Sequence, residues 1–192
     1  SAGAALTSVM VSCHGELFAA CAMHSGLMFR AADSVGEAVR AMKNGSPVSP
    51  EKVARQVMAN KEFSFVPALL IHGTRDDVVH PTNADQTLAQ FMAMAGGVGE
   101  TDTALVESVR QLTHGGIRRF EIRDFRSAET LMLRKVVIEE LGHAWSGGDA
   151  QHAFNDAKGP DASLMIWEFV SGFERREGTI SASSASMMGT KQ

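Results

Sequence analysis

The chain has 192 residues, 44% of them hydrophobic and 21% charged, which is enough apolar surface for one domain with a substantial core. A formal net charge of −4 and a pI near 6.0 speak against the basic face of a nucleic-acid binder, so no nucleic-acid partner is expected. No apolar run approaches the length of a membrane span, so no membrane partner is expected either.

Ser1 to Ser12, with Ala5, Val9 and Met10 at helical spacing, predicts a buried helix starting almost at residue 2 and ended by His14-Gly15. Phe18 to His24 is a short apolar run bounded by Ser25-Gly26, as in a fully buried strand of a parallel sheet. A helix leading directly into such a strand is half of a βαβ unit, whose first strand would precede residue 1. Cys13 and Cys21 lie in small, apolar surroundings and read as buried thiols; a disulfide in an oxidising compartment is the alternative.

Ser34 to Met42 predicts a short helix with Val35, Ala38, Val39 and Met42 on one face. After the Asn44 to Pro47 loop, Ser49-Pro50 reads as an N-cap followed by proline at the first helical position, with Val53, Val57 and Met58 inward. Phe65 to His72 is the clearest buried strand, and Gly73 to His80 is the loop at its C-terminal end. Asn83 to Ala95 places Ala84, Leu88, Phe91, Met92 and Ala95 on one helical face, and Gly96-Gly97 stops it.

Thr101 to Thr113 is expected to be another helix, with Leu105, Val109 and Leu112 inward and Gly115-Gly116 after it. Ile117 to Phe125 and Thr130 to Glu140 read as two strands joined by a polar turn. Asp149 to Gly159 is a polar surface loop, and Asp161 to Phe173 a terminal helix burying Ile166, Phe169, Val170 and Phe173. Residues 1–177 form one expected domain. Residues 178–192, Ser-rich and small, are expected to be a disordered tail. Strands alternating with helices specify an α/β fold with a mainly parallel sheet, its N-terminal strands absent from this chain.

Such a sheet presents functional groups at the carboxyl ends of its strands. Asp76 follows the strand ending at His72, and His143 follows the strand ending near Glu140, inside Leu141-Gly142-His143-Ala144-Trp145-Ser146-Gly147-Gly148. Ser1 heads the first helix. A serine hydroxyl needs a base to remove its proton, which neutral His143 would supply. A buried carboxylate on Asp76 would hold the other ring N–H, and the backbone N–H of Ala2 would be one oxyanion donor. Asp77 follows Asp76, and the Gly-x-x-Asp-x-x-Val spacing favours Asp76. His24, His72 and His80 flank the same edge without forming a clear metal set. No metal site is expected, and the phosphate-binding glycine motifs that a nucleotide cofactor would need are absent.

These residues resemble the α/β-hydrolase esterases of the poly(3-hydroxybutyrate) depolymerase group, with its feruloyl and acetylxylan esterase relatives. The matching pieces are Ser1-Ala2-Gly3-Ala4-Ala5, Phe18-Ala19-Ala20 with His24-Ser25-Gly26-Leu27, and Ile71-His72-Gly73 through Val78-Val79-His80-Pro81-Thr82-Asn83-Ala84. The histidine segment from Leu141 to Gly148 and Gly159-Pro160-Asp161-Ala162-Ser163 complete them. The resemblance runs from Ser1 to about Phe173. It implies a cofactor-free serine esterase working through an acyl-enzyme, with Ser1 as nucleophile, Asp76 as orienting acid and His143 as base. Trp145 stands where the family keeps an aromatic residue near the pocket; the alternative is a core tryptophan under the loop. Thr74 replaces the family's acidic residue after His-Gly.

The expected substrate is a hydroxyalkanoate oligomer or related small ester. An amidase or peptidase using Ser1, and a non-catalytic binding protein on the same scaffold, are the alternatives. A further expectation is a processed two-chain enzyme, in which cleavage exposes Ser1 beside a companion N-terminal chain that carries the second oxyanion donor. The free α-amino group would then be a local base. The resemblance implies an extracellular or periplasmic location, although no export signal is legible.

Overall fold

A computed structural model describes residues 1–97 and 105–175; the expected tail at 178–192 and the start of the expected helix, Thr101 to Ala104, lie outside them. The order begins α1 (Ala2–Cys13), a 3₁₀ turn (Gly15–Leu17), β1 (Cys21–His24), α2 (Val35–Asn44), α3 (Pro50–Met58), β2 (Ala68–Gly73) and α4 (Thr82–Gly96). It continues with β3 (Val106–His114), β4 (Arg118–Ser127), β5 (Thr130–Ile138), the short β6 (Trp145–Ser146) and β7 (Asn155–Asp156), and α5 (Ala162–Val170).

Five strands form one sheet in the order β1-β2-β5-β4-β3. β1, β2 and β5 pair in parallel, β4 runs antiparallel to β5, and β3 runs antiparallel to β4. Four of the five strands therefore point the same way, and the fold is α/β with a mainly parallel sheet.

β2 shows why. All six of its residues are buried. Successive side chains of a strand point to opposite faces, so each face needs its own cover. Ala68 and Leu70 join a cluster with Val53, Ala54 and Val57 of α3 and Phe91 and Met94 of α4. Leu69 and Ile71 join the opposite cluster, with Ala162 and Phe169 of α5. A strand covered on both faces is a continuous apolar run, which is how it stood out in the sequence.

Helix starts follow local chemistry. Ser34 Oγ accepts from Glu37 N–H, Ser49 Oγ from Lys52 N–H ahead of α3 with its Pro50, and an Asp161 carboxylate oxygen from Leu164 N–H.

Several expected faces are corrected. α1 lies at the surface, with Leu6 60% and Val9 41% exposed. Cys13, expected to be buried, is exposed; Cys21 is buried, both thiols are free, and burial pushes the Cys21 thiol up to about 12. In α2 the larger apolar residues Val35 and Val39 face outward, while Ala41 packs into a cluster with Met28 and Ala31. In α4, Met92 turns outward, and the buried face carries Asn83, Thr87 and Gln90. Their polar groups are satisfied internally: Gln90 pairs with both backbone groups of Phe29, Asn83 Nδ2 donates to the carbonyls of Met42 and His80, and Thr87 Oγ1 donates to the Asn83 carbonyl.

The expected helix at Thr101 to Thr113 is instead β3 over its described residues. Gly115 and Gly116 have φ of +57° and +69°, the left-handed pair that a tight hairpin turn demands. They join β3 to β4, with His114 opposite Arg118. Every residue of β3 is exposed, so neither face is marked by burial, and the Leu105, Val109, Leu112 spacing imitates a helical stripe. The Asp149 to Gly159 loop also contains β7, which pairs in parallel with β6.

Candidate active site

The parallel strands β1, β2 and β5 end at one edge of the sheet, and the segments that leave them carry Ser25, Asp76 and His143. α1 packs on β1, and its first residues reach the same edge. Ser1 is the N-cap of α1: its carbonyl accepts from Ala5 N–H, while its side chain makes no capping bond. Ser1 Oγ is thereby left for His143, whose Nε2 lies 3.1 Å away.

His143 Nδ1 lies 2.8 Å from Asp76 Oδ2. The Asp76 side chain is fully buried, and its other oxygen accepts from Val78 N–H at 3.1 Å and Val79 N–H at 2.8 Å. Burial alone would raise this carboxyl. The Val79 N–H and the His143 imidazole outweigh it and hold the group below the usual carboxylate range. His72, buried at the end of β2, places Nε2 2.8 Å from the Val79 carbonyl and 3.4 Å from Asp76 Oδ2. Burial lowers its imidazole, so His72 is neutral and its Nε2–H donates to Val79. It ties the far end of the Asp76 turn back to β2. Asp77, the neighbouring acid, is exposed.

Backbone bonds stitch the aspartate and histidine loops together. Thr74 N–H donates to the Ile138 carbonyl, Arg75 N–H to the Leu141 carbonyl, and Glu140 N–H to Thr74 Oγ1. Thr74 is thus part of this seam.

A cavity of about 730 Å³ opens at this point, lined by Ser1, Ala2, Ser25, His143, Trp145 and Phe154 among others. Ala2 begins α1, where first-turn N–H groups have no intrahelical acceptor and favour negative charge. Trp145 is 38% exposed and forms a cavity wall rather than part of the core. Its ring stacks on His24 with centroids 5.1 Å apart, and Nε1–H donates to Ser163 Oγ. A larger cavity, about 890 Å³, lies between β5 and α5 and shares no residue with this one.

The structure brings Ser1, Ala2, Asp76, His143 and Trp145 to one place. His80 is exposed and bonds Thr82 instead. His72, Ser25 and Phe154 stand at the site with no role expected from the sequence. His72 and Ser25 sit directly at strand ends, which is the signal that could have found them. Phe154 lies in a polar segment and meets His143 edge-on at 6.5 Å only through the tertiary fold.

The sequence model of a family described as Esterase PHB depolymerase matches residues 1–112, more than half of the chain. The chain belongs to that family. The matched span of this esterase-family chain runs from Ser1 through the Asp76 turn and stops before the His143 loop. Among solved structures, it is similar to the acetyl xylan esterase from Aspergillus awamori, with a TM-score of 0.55 and 22% identity over 73% of this chain and 51% of that one. That likeness shows a shared fold, and the chain spans about half the length of the solved esterase. No curated protein matches.

Proposed function

We propose that this chain carries the reacting groups of a serine esterase that cleaves carboxylic esters through an acyl-enzyme. The observation that supports it best is the hydrogen-bonded chain Ser1–His143–Asp76, at 3.1 and 2.8 Å, with Ser1 and His143 in the wall of a cavity at a helix N-terminus and Asp76 buried behind them. His143 Nε2 takes the Ser1 proton as Oγ attacks the ester carbonyl. Asp76 holds Nδ1–H in place and stabilises the imidazolium that forms. The Ala2 N–H faces the oxyanion. His143 then returns the proton to the leaving alcohol, and a water activated by the same ring releases the acid.

The cavity wall includes Val78, Ala144, Trp145 and Phe154, which suits a short acyl or alkyl group. The proposed substrates are hydroxyalkanoate oligomers or small esters related to them, the name of the structural neighbour adding acetyl esters of a polysaccharide. β1 ends the sheet order, with no further strand beside it among the described residues, so a companion segment is the proposed source of the second oxyanion donor. The proposed setting is outside the cytoplasm, in keeping with the family.

The test is hydrolysis of p-nitrophenyl butyrate by the intact protein. Ser1→Ala and His143→Ala should each reduce kcat by on the order of 10⁴ or more while leaving the melting curve in place. Unchanged turnover in either variant refutes the assignment.

A further inference from the structure

One buried polar group in the cavity wall has no part in the proton path. Ser25, at the end of β1, is 3% exposed and lines the cavity with Ser1 and His143. Its φ is +54°, a left-handed conformation that strains a non-glycine residue. A glycine would remove that strain, so the hydroxyl is what the position offers in return.

The neighbouring ring decides which way this hydroxyl works. His24 is buried, and burial lowers its imidazole to about 4, with His72 adding to the effect. It therefore carries one ring proton at neutral pH. Nε2 faces the backbone N–H of Ser146 at 3.5 Å and must present its lone pair there, because two N–H groups would otherwise point at each other. The proton is then on Nδ1, which lies 3.1 Å from Ser25 Oγ and donates to it. Ser25 Oγ has no other partner among the described residues. Its own O–H is left unspent at a cavity wall, and an unpaired buried donor is unfavourable.

We infer that Ser25 Oγ–H is a substrate-binding donor, oriented by His24, which accepts esters carrying a second oxygen acceptor beyond the one being cleaved. The inference rests on the esterase reading above and adds to it a selectivity, for oxygen-bearing over purely hydrocarbon groups. The acceptor oxygen has two possible sources, the acyl chain or the alcohol.

Two isosteric ester pairs distinguish them in the intact protein. The acyl pair is p-nitrophenyl 3-hydroxybutyrate against 3-methylbutyrate; the alcohol pair is 2-methoxyethyl butyrate against butyl butyrate. In Ser25→Ala, the kcat/KM ratio of oxygenated to hydrocarbon ester should fall about 5- to 10-fold from the wild-type ratio in one pair, the size of one hydrogen bond. Ser25→Gly, which adopts φ of +54° without strain, should show the same fall and separates lost hydroxyl from damaged fold. A fall in the first pair places the oxygen on the acyl chain, and a fall in the second places it on the alcohol. Wild-type ratios in both pairs overturn the inference while the esterase reading stands. Wild-type protein that hydrolyses none of the four esters overturns the esterase reading, and the subsite with it.

Discussion

Gly73 and Leu141 touch so closely that a Cβ added to Gly73 would lie 2.1 Å from the Leu141 carbonyl oxygen. This contact sets the distance between the loop carrying Asp76 and the loop carrying His143. The same carbonyl accepts the Arg75 N–H at 3.0 Å, so the two backbones are bonded where they are closest. No side chain fits between them.

Gly73→Ala should therefore act on the site and on stability together. The methyl group must push the Leu141 carbonyl away by about 1 Å, lengthening the bonds at the seam. A misplacement of that size costs on the order of 10²-fold in rate, and overpacking costs about 1–3 kcal/mol. Ester hydrolysis and urea unfolding, measured on the same variant, check both. A variant with wild-type values in both assays would show that the seam does not position the loops.

Asp76 and Asp77 separate position from charge. Asp76→Asn turns an amide N–H or a mispaired oxygen toward His143 Nδ1 and favours the wrong ring tautomer, so kcat should fall on the order of 10³- to 10⁴-fold. Asp77 is exposed, and its backbone carbonyl, not its carboxylate, accepts from Lys43 Nζ. Asp77→Asn should stay within about 2-fold of wild type, as surface substitutions do. Reversal of the two effects in an ester assay would move the orienting role to Asp77.

Stability should fall with acidification in a window set by the buried histidines. In the fold His24 protonates only near 4, whereas an ordinary imidazole does so at 6.5. Between these values the unfolded chain binds a proton that the folded chain refuses. Stability therefore declines as pH drops through the window, by up to about 3 kcal/mol from His24. His72, lowered by burial, acts in the same direction. Asp76 acts further down: its carboxyl is held below the usual range, so its contribution is present above the ordinary carboxylate value and is lost as pH falls through the folded one. Melting temperatures at pH 7.5, 6 and 5 should fall in that order. His24→Phe, which keeps a ring stacked on Trp145, should flatten the decline. Equal slopes in wild type and variant would mean that His24 is not the group that resists protonation.

Residues with local causes were legible in the sequence: the N-cap Ser49, the doubly covered run of β2, and the glycine stop of α4. Each depends on a side chain and backbone a few residues away, or on burial from both faces, and both leave a pattern in the order of residues. The α/β class followed from that alternation, and Ser1, Asp76 and His143 from their places at strand and helix ends.

Tertiary structure decided what depends on contact between distant segments. The Leu105, Val109, Leu112 spacing fits a helix, and only pairing with β4 across Gly115-Gly116 selects the strand. Val35 and Val39 are apolar enough for a core, yet Ala41 is the residue with a cluster to enter. The burial of Asp76 beside an exposed Asp77 depends on two backbone N–H groups and His72 closing on one carboxylate. The free hydroxyl of Ser25 depends on a proton placed by Ser146, 121 residues away along the chain. Hydrogen bonds of that span are set by packing, and packing is written in no single stretch of the sequence.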